Sequence, residues 1–160
     1  MRRKAVLLGA FALLLGAGLG CDDSGGSGVG GGFDVNGRVY NTITKCSRTP
    51  TGQAPVCVIP GAMAKIQFTR VSSNDYEVRT VPDSGVVYIG TFAGTLFEFT
   101  SDNPAGFAET GSWAFTTNGN AFVGSSTVVA DDGSYTGDCT ENGAIVPGVP
   151  ASPPAVGACL

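Results

Sequence analysis

The chain has 160 residues, with 9 Lys and Arg against 13 Asp and Glu, 25 glycines, 5 cysteines and no histidine. Without histidine there is no Ser-His-Asp or Cys-His nucleophile, and the commonest metal ligand and proton shuttle is missing. The basic residues are few and scattered, so the clustered Lys and Arg that phosphate binding requires are absent, which excludes nucleic acid as a partner.

The chain opens on Met1-Arg2-Arg3-Lys4, followed by an apolar run from Ala5 to Gly20 and then Cys21-Asp22-Asp23. A positive start, a short apolar stretch and small residues before a break are the parts of an export signal, assigned to residues 1–20. The run is shorter than the ~20 apolar residues of a permanent span. Its removal takes Arg2, Arg3 and Lys4 and leaves 6 basic residues against 13 acidic, an acidic mature chain. Gly18-Leu19-Gly20-Cys21 resembles the lipobox of bacterial lipoproteins. The resemblance implies cleavage before Cys21, a thioether-linked diacylglycerol on that cysteine, and attachment to the inner or outer membrane of the cell envelope. Cysteine number points the same way, because setting Cys21 aside leaves four, the even number a disulfide framework needs. The alternative is an ordinary secretory signal, since Gly18 and Gly20 also satisfy the small-x-small rule. Residues 21–32 continue as a Gly/Ser-rich tether with no apolar surface to bury.

From Phe33 the composition changes to a period of two punctuated by turn formers, the pattern of strands in a single β domain over 33–160. A first run places Phe33, Val35, Gly37 and Val39 on one face, with Asp34, Asn36, Arg38 and Tyr40 on the other. Ile66 and Phe68 alternate with Lys65, Gln67 and Thr69; Tyr76 and Val78 alternate with Glu77 and Arg79. Val86 to Thr91 and Thr95 to Thr100 follow, with Phe97 and Phe99 opposite Leu96 and Glu98. Ala108 to Thr116, Ala121 to Ala130 and Ser134 to Thr140 complete the set, separated by Asn118-Gly119 and Asp131-Asp132-Gly133, both hairpin signals. About eight short strands with hairpin connections and no helical period define an all-β antiparallel meander. Closure into a small up-and-down barrel removes its edges, and an open sandwich is the alternative. An aromatic residue two before a glycine recurs at Tyr88/Gly90, Phe122/Gly124 and Tyr135/Gly137, as a strongly coiled sheet would use it.

Four cysteines allow three pairings. The expectation is local, Cys46 with Cys57 and Cys139 with Cys159, because Ser47 to Val56 and the proline-rich 141–160 lack the alternation that would hold them down. Cys46 with Cys139 is the rival, since closure sets the first strand beside the last. No Cys-x-x-Cys spacing suggests zinc, so no metal or other cofactor is expected. Glu77, Glu98 and Glu109 lie on strands and are expected to face solvent. Asp131, Asp132 and Asp138 read as turn residues rather than a calcium loop.

Through Gly111-Ser112-Trp113-Ala114-Phe115 and the turn-strand rhythm from Asn74 to Cys139, the domain resembles the small barrels of the lipocalin and avidin superfamily. That resemblance implies a cup for a small apolar ligand, against Tyr88, Phe97, Phe99, Trp113 and Phe122; for Trp113 the plain alternative is a core aromatic. Two functional expectations stand side by side: a non-enzymatic structural or interaction module that meets another envelope component, or a carrier of a small apolar ligand.

Overall fold

Side chains alternate in and out along eight antiparallel strands in the computed structural model, which describes residues 33–104 and 106–156, except for the side chains of residues 58–62 and 102. The strands are β1 (Val39–Pro50), β2 (Val56–Arg70), β3 (Asp75–Thr80), β4 (Val87–Ala93), β5 (Leu96–Asn103), β6 (Phe107–Phe115), β7 (Ala121–Ala130) and β8 (Tyr135–Ile145). Each pairs with its neighbours in sequence and β8 pairs with β1, so the sheet closes into one up-and-down barrel. Closure satisfies every strand edge, which an open sandwich would leave exposed. The hairpins form where the turn residues stand. Gly119 and Gly133 adopt φ of 68° and 72°, and the Asp132 carboxylate accepts the Ser134 amide at 2.9 Å.

One half of the interior is filled with rings. Tyr40, Phe68, Phe97, Trp113 and Phe122 are almost wholly buried and meet one another across the barrel, from the stacked Trp113–Phe122 pair at 5.0 Å between ring centroids to the edge-on Phe68–Phe97 pair at 5.4 Å. Such pairs stabilise the barrel beyond the area term of burial.

The stretch before β1 differs from the expected first strand. Gly37 takes a φ of 74° and breaks the alternation, so Phe33 and Val35 leave the sheet while Tyr40, on the expected outer face, turns inward. Phe33 then stops that end of the barrel, its ring on Phe92 and Phe115 at 5.9 and 5.7 Å. Tyr40 donates to the Gly119 carbonyl at 2.6 Å, and an Arg70–Asp34 ion pair at 2.7 Å holds the segment down.

The favoured local disulfides are overturned. Cys46 bonds Cys139 across the β1–β8 seam, where the two residues stand opposite in register. The expected loop from Ser47 to Val56 shrinks to a turn, because β1 runs on to Pro50, paired along its length with β8. Cys57 is also disulfide-bonded, while Cys21 and Cys159 lie outside the described residues.

Candidate functional site

The rings stop halfway along the barrel. Beyond them the interior positions hold small or polar residues, including Thr44, Ala64 and Gly137, and a cavity of about 350 Å³ remains. It lies toward the end carrying the β1–β2, β3–β4, β5–β6 and β7–β8 turns, opposite the Phe33 stopper. Its walls are Phe107, Val128 and the Cys46–Cys139 disulfide; its polar groups are Tyr88, Glu109 and Glu141, with Arg48 and Tyr135 also facing it.

Strand parity puts both glutamates inside. Glu109 shares the inward face of β6 with Trp113 and Phe115, and Glu141 shares that of β8 with Gly137 and Cys139. The expectation that Glu109 faces solvent is therefore corrected: its flanking residues Ala108 and Thr110 point outward, and the residues two and four further on set the face. Glu98 does face outward, and the side chain of Glu77 is half-buried against Arg79.

Donors from the barrel wall hold each carboxylate. Ser126 Oγ and the Tyr88 hydroxyl donate to Glu109. Thr42, Thr44 and the Trp113 indole bond Glu141, which makes Trp113 the boundary between the aromatic core and the cavity floor. Burial pushes the Glu109 carboxyl above the usual range, against the pull of those donors. Burial, and then the charge of Glu109, push Glu141 up to about 7. The Tyr88 phenol is raised as well, first by burial and then by the charges of Glu109 and Glu141. The two carboxylates thus share one field, and charging either makes charging the other harder.

No ion pair among the described residues reaches either glutamate; the salt bridges join Arg70 to Asp34 and Arg79 to Glu77 and Asp83. The Arg48 guanidinium instead lies over the Tyr135 ring, 3.7 Å from its centroid, with its charge felt by Asp132 in the β7–β8 turn. Two buried polar atoms on this side of the barrel have no hydrogen-bond partner: Arg48 Nε, and the hydroxyl of Ser101, which stands in register between Tyr88 on β4 and Glu109 on β6. A buried polar atom without a partner is costly, and native interiors hold few of them.

Of the residues expected to touch a ligand, Tyr88 lines the cavity. Phe97, Phe99, Trp113 and Phe122 sit in the packed core; Trp113 bonds Glu141, and the Phe99 and Trp113 rings pack against Tyr88 at 5.2 and 5.6 Å. Glu141 and Arg48 were not singled out from the sequence. Parity with Cys139 would have pointed to Glu141, and parity with Cys46 to Arg48, which stands opposite Gly137 in the unbroken β1–β8 register.

The fold and site together define an up-and-down barrel with a ring-filled base and an acid-lined cup. No family model matches the chain, and no curated protein matches it. Among solved structures it is similar to a tryptophan-to-alanine mutant of the vaccine antigen transferrin-binding protein B from Haemophilus parasuis, with 10% sequence identity and a TM-score of 0.48, covering 73% of this chain and 28% of that one. The chain therefore corresponds to less than a third of that protein's length.

Proposed function

We propose that the chain is a non-enzymatic binding module of the bacterial cell envelope, carried on the lipid of Cys21 and its glycine tether, that takes a small ligand into the barrel cup. The cavity is the observation that carries this. At about 350 Å³ it is of the size that small-molecule sites use, and it combines apolar walls with a few convergent polar groups. Both carboxylates are fixed by wall donors and no activated nucleophile accompanies them, which favours holding a ligand over transforming one.

Trp113 is the chain's single tryptophan and bonds a cup residue, so its emission is a direct reporter. Titration of the mature domain with small amphiphiles is expected to give saturable changes in Trp113 fluorescence, with displacement of an apolar dye at one site per chain. A set of amphiphiles of varied headgroup charge that neither alters the emission nor displaces the dye would count against the cup as a binding site.

A further inference from the structure

We infer that the cup takes a small organic cation, a basic amine on an apolar body, with the amine seated between Glu109 and Glu141. This rests on the cup being a binding site and adds the class of ligand.

The geometry supplies three reasons. First, Glu109 and Glu141 reach one chamber from β6 and β8, and no basic side chain of the described residues pairs with either: Arg48, which also lines the chamber, lies over the Tyr135 ring instead. A carboxylate buried without a cation is unfavourable, and a ligand ammonium relieves that penalty where a neutral or anionic group does not. Second, Tyr88 stands beside the same carboxylates, and its ring offers the aromatic face against which organic cations pack. Third, Ala64, Phe107, Val128 and the disulfide give the lining an apolar portion beside its polar groups, which suits a hydrocarbon body. Arg48 does not oppose this arrangement, because its guanidinium is spread on the Tyr135 ring and felt by Asp132 in the neighbouring turn.

The test compares three probes of one shape, phenylbutylamine, phenylbutanol and phenylbutyrate, by Trp113 fluorescence and calorimetry on the mature chain at pH 8, where both glutamates are most charged. The amine is expected to bind about tenfold or more tighter than the alcohol, the usual gain from a charge-assisted hydrogen bond, and the carboxylate weakest. Glu109→Gln and Glu141→Gln should each reduce that preference while alcohol binding is retained, which also shows that the variants are folded. Equal binding of the three probes, or preference for the carboxylate, overturns the cation assignment and leaves the cup standing. Failure of all three to bind overturns both.

Discussion

At the scale of single residues, Glu141 shows how much strand parity says and what it omits. Tyr135, Gly137, Cys139 and Glu141 share a face by position alone, so the carboxyl's inward direction is legible once Cys139 is known to face in. What no pattern shows is that the interior around it is hollow, since that depends on small residues arriving from other strands, among them Ala64 and Thr44. The consequence is a measurable linkage. Burial and the neighbouring charge raise the folded carboxyl to about 7, so between the ordinary carboxylate range and that value the folded chain holds a proton that the unfolded chain has released. Stability from this group is fully present below the unfolded value and is lost as pH rises through about 7. Glu141→Gln should therefore raise the melting temperature at pH 8 and flatten its dependence on pH across that window. The gain at pH 8 is about 2 kcal/mol once the solvent reaching the side chain through the cup is allowed for. Thermal unfolding of both proteins from pH 4.5 to 8 reads it; parallel curves would mean that Glu141 carries no such penalty.

At the scale of strands, two of the three glycines of the aromatic-x-glycine repeat lie under an aromatic ring, though not the ring two residues before them. At Gly90 and Gly124 the ring that uses the glycine comes from the adjacent strand, while at Gly137 the space is taken by the Ser47 carbonyl. A Cβ on Gly90 would lie 2.6 Å from Phe97, and one on Gly124 2.3 Å from Trp113 and 2.5 Å from the Ser112 carbonyl. Gly143 extends the rule to a glycine outside the repeat, with Phe122 only 2.1 Å from a Cβ built there. These glycines let rings lie on the backbone of the next strand, and so allow the aromatic half of so narrow a barrel to close. Because Phe122 is itself locked between Trp113 and Phe115, it has little room to yield. Gly143→Ala is expected to cost about 2–3 kcal/mol by overpacking. Ser125→Ala, on the exposed face of β7, should stay within about 0.5 kcal/mol. Urea unfolding of the two variants tests the contrast, and a neutral Gly143→Ala would show that the ring stack can shift.

At the scale of the whole molecule, the cysteines staple the barrel closed and bear on the proposed lipid anchor. Cys46 and Cys139 lie 93 residues apart in sequence and staple the first strand to the last, so their bond encloses nearly the whole meander. In the chain-entropy picture a loop of that length contributes about 4–5 kcal/mol, and Cys46→Ser with Cys139→Ser should lower the melting temperature accordingly. The local pairing drawn from the sequence failed because it gave weight to the poor patterning of Ser47 to Val56, while β8 pairs with its first part, Ser47 to Pro50. Barrel closure, legible from the hairpin rhythm, was the stronger constraint. The seam also bears on Cys21. With Cys46 and Cys139 joined and Cys57 disulfide-bonded, the thiols left within the chain to pair with Cys57 are Cys21 and Cys159. A lipidated Cys21 has no thiol to give, so the lipobox resemblance requires Cys57–Cys159, which would tie the proline-rich tail to β2. That tail crosses the outside of β8 as far as it is described, with Thr140 and Asn142 donating to the carbonyls of Pro154 and Ala151. Unreduced peptide mapping of the membrane-extracted protein is expected to find Cys57 linked to Cys159 and Cys21 on an acylated peptide, and Cys21→Ala should abolish detergent-phase partitioning without disturbing either disulfide. A Cys21–Cys57 crosslink would instead mean an ordinary signal peptide and a protein held in the envelope by no lipid of its own.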